Sequence, residues 1–272
     1  MIRPVTGFLI DMDGVVYRGS KMIRGAADFI AQLQQLNQPF LFLTNNSQRS
    51  RRDVCLRLRR MGIRIGEKQV FTCAMATARF LARQQPGGSA YVIGEGGLVT
   101  ALHTNGFAMD DQKPDYVIVG EGKTLNMEML ERAVTLINNG ARLVATNLDP
   151  NCPTETGMRP GCGAVISLLE AATGRKALGI GKPSPITMQE AARSLGTAPE
   201  DTVVIGDTMD TDILGGVQLG FRTVLVLSGG TRRADLDRYA FRPTYVVNSV
   251  HDLIDHDLLG PALPRQPERQ IA

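Results

Sequence analysis

The sequence predicts an α/β fold: a parallel sheet covered on both faces by helices and split by an inserted α/β domain. Three observations carry this expectation. Apolar runs at 7–10, 40–43, 201–205 and 223–227 are continuous rather than alternating, as in strands buried on both faces. Segments of helical period lie between them, which is the order that builds a parallel sheet with crossover helices. A middle stretch repeats the same rhythm between Gln84-Gln85-Pro86-Gly87-Gly88 and Gly179-Ile180-Gly181, two segments that read as hinges.

Taken in order, residues 7–10 form the first strand. Residues 26–36 read as a helix, with Ile30, Leu33 and Leu36 apolar. The second strand, 40–43, ends at Thr44. A helix over 53–61 is stopped by Gly62. Inside the insert, 90–93, 116–119 and 142–145 are three further strands. A helix from about 211 to 219 separates the last two strands of the main domain. The domain expectation is therefore 1–83 plus 179–260 for the core and 84–178 for the insert. The tail 261–272, rich in Pro, Arg and Gln, is expected to be loosely ordered.

Composition excludes several function classes. The chain has 272 residues, 43% of them hydrophobic, which is enough for a full core. Aromatics are only 5% with no Trp, so base-stacking platforms for nucleic acid are not expected. Net charge is a mild +3. Arg49, Arg51, Arg52, Arg57, Arg59 and Arg60 read as the solvated side of a helix, and no nucleic-acid motif accompanies them. Four cysteines in a chain this long make no disulfide framework, and Cys152 and Cys162 lack the second pair or histidine of a zinc site. No stretch reaches the ~18 apolar residues of a membrane span, and the N-terminus has no leader pattern. The expectation is a soluble, cytoplasmic protein.

The chemistry is expected at the strand ends. Asp11-Met12-Asp13-Gly14 follows the first strand, where a period of two would put Asp11 and Asp13 on one side. Two carboxylates ~4 Å apart repel by about 4 kcal/mol at an effective dielectric of ~20, so a fold that keeps them has a use for them. A surface turn is the other reading of these residues. The second acidic run, Asp207-Thr208-Met209-Asp210-Thr211-Asp212, decides between the two. In open parallel sheets ligands bind beyond the carboxyl ends of the strands. That edge gathers Asp11, Asp13, Thr44 and Asp207, with Lys182 following the return hinge. So many carboxylates in one crevice require a divalent cation, and oxygen donors without histidine favour Mg²⁺ over zinc.

Other motifs fail on spacing. A calcium loop counted from Asp210 has Gly215 at its sixth position but Phe221 at its twelfth. A phosphate-binding loop ending at Gly181-Lys182 would need glycine where Lys176 stands. The dinucleotide pattern at Gly94-Glu95-Gly96 ends on Val99, which leaves a tight strand-to-helix turn.

Four ordered motifs do match one family. Asp11-x-Asp13-Gly14, Thr44-Asn45-Asn46-Ser47, Gly181-Lys182-Pro183-Ser184 and Gly206-Asp207-x-x-x-Thr211-Asp212 resemble the signature of the haloacid-dehalogenase (HAD) superfamily. With the insert in place, the chain is similar to the NagD / p-nitrophenyl-phosphatase-like branch, which includes pyridoxal phosphate and phosphoglycolate phosphatases. The resemblance implies a Rossmann-like core and a mobile α/β cap. It implies Asp11 as a nucleophile giving an aspartyl-phosphate and Asp13 as general acid, then general base. It implies Mg²⁺ held by Asp11, the Asp13 backbone carbonyl and Asp207. Thr44, Asn45 and Lys182 would hold the phosphate, and Asp212 would orient the metal waters or the lysine. For Asp13 to act as an acid at neutral pH its pKa must lie above the usual carboxylate value, and neighbouring carboxylates are one cause of such a rise.

Substrate choice belongs to the cap, because the core motifs touch only phosphate. Thr146-Asn147-Leu148-Asp149-Pro150 matches a family loop that faces the active site, which makes Asn147 and Asp149 candidates for contacting the leaving group; a plain turn is the alternative. The expected function is a Mg²⁺-dependent hydrolase of a small phosphorylated metabolite, with no nucleic-acid or membrane partner and a homodimer through the cap. Two alternatives stand beside it. A phosphotransferase or mutase would pass the same aspartyl-phosphate to a hydroxyl, and a silent metabolite-binding protein would have no use for Asp13.

Overall fold

A computed structural model describes residues 6–154 and 157–254. The tail 261–272, and the end of the core beyond residue 254, lie outside the described residues.

The chain opens with β1 (Gly7–Ile10), four buried residues. A small hairpin, β2 (Tyr17–Arg18) and β3 (Lys21–Met22), follows. Helix α1 (Ala26–Gln35) buries Phe29, Ile30 and Leu33. Leu36, expected on that stripe, caps the helix instead and is 50% exposed. β4 (Phe40–Thr44) is wholly buried. α2 (Arg51–Arg60) starts two residues earlier than expected because Ser50 and Asp53 form a capping box. β5 (Val70–Thr72) and α3 (Cys73–Gln84) precede the insert.

The insert contains β6 (Ser89–Ile93), α4 (Gly96–Thr104), β7 (Ala108–Met109), β8 (Tyr116–Val119), α5 (Met127–Asn138) and β9 (Arg142–Ala145). A hairpin of β10 (Asn151–Thr154) and β11 (Gly157–Pro160) leads into α6 (Cys162–Thr173) and β12 (Leu178–Gly179). The return segment at 179–181 thus begins as a strand paired with β9. Helix α7 (Pro185–Leu195), β13 (Thr202–Gly206), α8 (Leu214–Gln218), β14 (Arg222–Val226) and β15 (Tyr245–Val247) complete the order. The helix expected over 211–219 starts as a π-helical turn, Met209–Ile213, before α8. Such one-turn bulges recur at functional sites.

The fold is α/β with a parallel-sheet core. The chain divides into two compact units, one made of residues up to Phe42 and from Ala191 onward, the other of Leu43–Glu190. In the first unit the strand order is β15-β14-β13-β1-β4, every pair parallel. The second unit has its own five-stranded sheet, β12-β9-β8-β6-β7, again parallel. Leu130, Leu136 and Ile137 of α5 and Ile166 and Leu169 of α6 pack on Val117, Val119 and Leu143, giving that sheet a core of its own. No helix among the described residues is long and apolar enough to cross a membrane.

Candidate active site

In the first unit the site grows from two neighbouring strands. β1 and β13 pair in parallel with Ile10 opposite Ile205, and the Asp11 N–H extends the ladder by donating to the Ile205 carbonyl at 2.8 Å. Asp11 and Asp207 therefore emerge at the carboxyl ends of adjacent strands. The π-helical turn adds Asp212. One carboxylate oxygen from each of Asp11, Asp207 and Asp212 lies within 4.8 Å of the others.

These carboxylates are enclosed, at 9%, 7% and 1% exposure. Glycines permit the enclosure. A side chain at Gly206 would strike Asp212, and one at Gly14 or Gly229 would strike the Asp207 carboxylate. Asp207 Oδ2 accepts from the Gly230 N–H at 2.5 Å, and Oδ1 from Thr208 Oγ1 at 3.2 Å. Asp212 Oδ2 accepts from the Thr208 N–H at 3.3 Å. Three buried carboxylates within reach of one another, offering only oxygen, suit a hard divalent cation such as Mg²⁺.

Asp13 stands differently. β1 ends at Ile10, and the N–H groups of Val16 and Tyr17 turn back onto the Met12 carbonyl at 2.8 and 3.1 Å. Asp13 is exposed, whereas the other three are buried. Gly14, at φ +82°, closes the turn by donating to the Tyr17 carbonyl at 2.8 Å.

In the second unit the hub is Asn45, directly after β4. Its Oδ1 accepts from the Lys182 N–H at 2.8 Å, and its Nδ2 donates to the Lys182 carbonyl at 3.0 Å and to Asp149 Oδ2 at 3.1 Å. Its own carbonyl accepts from Asn147 Nδ2 and from Cys73 Sγ, both at 2.8 Å. Thr44 Oγ1 accepts from the Asn46 N–H at 3.1 Å. Lys182 is 4% exposed, with Nζ 3.5 Å from the Leu43 carbonyl. Thr44, Asn45, Asn147, Asp149 and Lys182 are thus brought together. Asn147 is fully buried, with Oδ1 accepting from the Asp149 N–H at 3.0 Å, so its amide shapes the loop.

Sequence reasoning missed an adjoining network. Glu121, at the end of β8 and 6% exposed, accepts from Arg159 Nη2 at 2.9 Å, Asn46 Nδ2 at 3.3 Å and Cys152 Sγ at 3.4 Å. Its N–H donates to Ser47 Oγ at 2.8 Å. Burial pushes the Glu121 carboxyl above the usual range; Arg159 opposes this and the Asp149 charge adds to it. Glu121 and Arg159 line a small cavity with Gly94, Thr124, Met129 and Cys162. The glutamate between two glycines after a strand was the available signal. Burial also pushes the Cys152 thiol up to about 12 and Cys162 to about 11.

The chain is similar to known proteins over most of its length. A family model described as haloacid dehalogenase-like hydrolase matches residues 8–108, and a second HAD-like hydrolase model matches 179–253. The chain is 44% identical to a dihydroxyacetone phosphatase of Corynebacterium glutamicum, over 97% of this chain and 96% of that protein. It is 38% identical to the ribonucleotide monophosphatase NagD of Escherichia coli K12, over 92% and 98%. Among solved structures, the p-nitrophenyl phosphatase of Archaeoglobus fulgidus superposes with a TM-score of 0.87 at 37% identity, covering 93% of this chain and 99% of that one.

Proposed function

The chain belongs to the haloacid dehalogenase-like hydrolases and is a phosphatase of small phosphorylated substrates; from that premise we propose a Mg²⁺-dependent phosphomonoester hydrolase working through an aspartyl-phosphate on Asp11. The observation that carries the reading is the enclosed group of Asp11, Asp207 and Asp212 at the carboxyl ends of β1 and β13.

Asp11, Asp207 and the Asp13 backbone carbonyl would hold the ion, with Asp212 orienting its waters. When bound, the ion supplies positive charge that neutralises the three carboxylates and the phosphoryl oxygens. A carboxylate oxygen of Asp11 attacks phosphorus as the bond to the ester oxygen breaks, and Asp13 gives that oxygen a proton. Asp13 then takes a proton from a water whose oxygen attacks phosphorus. The Asp11–phosphorus bond breaks and inorganic phosphate leaves. The exposure of Asp13 suits a group that exchanges protons with leaving group and solvent. Thr44, Asn45 and Lys182 hold the phosphoryl oxygens, supported by their hydrogen-bonded cluster and the buried ammonium. Asp149 meets the leaving group, and Asn147 acts there through Asn45 and Asp149.

The same reading takes residues 84–178 as the cap and the two flanking segments, 1–83 and 179–260, as the core, which the separate sheet and core of the insert support. A homodimer would form through that cap. Four free, buried cysteines suit a reducing, cytoplasmic setting. The deciding experiment is phosphate release from a panel of phosphomonoesters with Mg²⁺, for wild type, Asp11→Asn and wild type in EDTA. Loss in both controls supports the scheme. Activity surviving in Asp11→Asn would remove the nucleophile, and capture of the phosphoryl group by an added alcohol would favour a phosphotransferase.

A further inference from the structure

One short segment, residues 228–231 just after β14, is bonded to both acidic loops of the first unit. Ser228 Oγ donates to the Gly14 carbonyl at 2.6 Å, and the Gly230 N–H to Asp207 Oδ2 at 2.5 Å. The Thr231 N–H donates to the Asp207 carbonyl at 3.0 Å. Thr231 makes one bond more, its Oγ1 accepting from the Met209 N–H at 3.2 Å.

That bond has a physical cause. Met209 is buried and is the first residue of the π-helical turn. The first N–H groups of a helical turn have no partner inside it, and a buried one must find an acceptor elsewhere. Thr208, at the cap position, makes no side-chain bond to the turn; its hydroxyl is on Asp207 Oδ1 at 3.2 Å. Thr231, buried and 22 residues on, supplies the acceptor.

The consequence reaches both carboxylates. Two peptide planes flank Thr208, and Thr231 holds one group of each, the Asp207 carbonyl and the Met209 N–H. Because each peptide unit is planar, holding both fixes the Thr208 backbone between them. Thr208 in turn donates its N–H to Asp212 Oδ2 at 3.3 Å and its hydroxyl to Asp207 Oδ1. Partners that hold a ligand without touching the ion typically change metal affinity or activity about 10–100-fold when removed.

We propose that Thr231 is a positioning residue for the divalent cation: by bridging the Asp207 carbonyl and the Met209 N–H, it sets Asp207 and Asp212 where one ion can meet them. This deepens the Mg²⁺-dependent phosphatase reading and rests on it.

The test measures Mg²⁺ binding by titration calorimetry on the full chain, freed of metal with EDTA and dialysed. Thr231→Val removes the acceptor and should raise the Mg²⁺ Kd by about tenfold or more. Thr231→Ser keeps the hydroxyl and should bind as wild type. Tyr239→Phe removes a bond at 2.9 Å to Asp210 Oδ2, an exposed carboxylate on the same turn, and should also bind as wild type. Thermal melts establish that each variant is folded. A folded Thr231→Val with the wild-type Kd overturns the proposal, as does a Thr231→Ser as weak as Thr231→Val. An equal loss in Tyr239→Phe overturns it too, since any bond to the turn would then serve. If Thr231→Val does not fold, amide hydrogen exchange of wild type tests the same bonds. The Met209 and Thr231 N–H groups should be protected, and more so with Mg²⁺. Exchange of either at the rate of an open loop overturns the proposal. A wild type that binds no Mg²⁺ overturns it together with the ion site. One that binds Mg²⁺ but cleaves no ester, p-nitrophenyl phosphate included, removes the phosphatase reading alone.

Discussion

Asn45 and Lys182, 137 residues apart in the chain, are joined by two hydrogen bonds: the Lys182 N–H donates to Asn45 Oδ1 at 2.8 Å, and Asn45 Nδ2 donates to the Lys182 carbonyl at 3.0 Å. One side chain thus fixes the backbone that carries the buried ammonium. Asn45→Ala leaves a buried donor and acceptor unpaired, at a cost of about 1–3 kcal/mol each way the pairing is lost. Asn45→Asp keeps the shape but sets a carboxylate against the Lys182 carbonyl and Asp149. We expect kcat/KM to fall about a hundredfold in both, the low end for losing a positioned donor, and further in Asn45→Asp. Steady-state kinetics beside melting curves read the two effects. Asn45→Asp matching wild type would break the link between this hub and phosphate binding.

Gly14 and Asp207 give a second prediction, independent of turnover. Gly14 sits at φ +82°, where a side chain costs about 1–2 kcal/mol, and its added Cβ would meet the Asp207 carboxylate. In wild type, Mg²⁺ at about 100 times its Kd should add about 2.7 kcal/mol to the unfolding free energy, and EDTA should remove it. Gly14→Ala and Asp207→Asn should lose most of that Mg²⁺-dependent rise in Tm. Retention of the full rise in Asp207→Asn would take Asp207 out of the ion site.

The cysteines provide a third. All four are buried and free, and burial holds Cys73, Cys152 and Cys162 far from the thiolate form at neutral pH. Iodoacetamide at pH 8 should label none of them in the native protein and all four after unfolding in guanidinium. Mass spectrometry counts the adducts. Rapid native labelling of Cys152 would contradict the enclosure of the Glu121 network.

The sequence made the strand-end chemistry legible because short-range rules apply there. Continuous apolar runs placed Asp11, Thr44 and Asp207 at strand ends, and β1, β4 and β13 are neighbours in the sheet. Alternation gave no indication that Asp13 is exposed where Asp11 is buried. It had no purchase on Glu121 and Arg159, which meet through a hairpin 38 residues away that no local pattern ties to β8. Asn147 was legible as a member of the loop, but its full burial depends on contacts with Asn45 across 102 residues. Local periodicity fixes where an element lies, while the partner of a buried polar group depends on tertiary contacts.

Glu121 yields the last prediction, a dependence of stability on pH. Burial is the largest cause of its shift and raises the carboxyl above its ordinary value of 4.5. The native state therefore binds this proton more tightly than the unfolded chain. Its stabilising contribution is complete below the unfolded pKa and is lost as pH rises from about 4.5 through the raised native value. Glu121→Gln has no proton to lose, so its Tm relative to wild type should climb across that window and level off above it. Arg159 opposes the trend, since removing its partner costs most when Glu121 is charged. The guanidinium side chain is 23% exposed and can turn to water, whereas the carboxylate at 6% cannot, so desolvation of Glu121 is expected to prevail. Melting curves of both proteins from pH 4 to 8 decide it. A Tm difference that stays flat or falls with pH would show that the Arg159 pairing, rather than burial, governs this carboxyl.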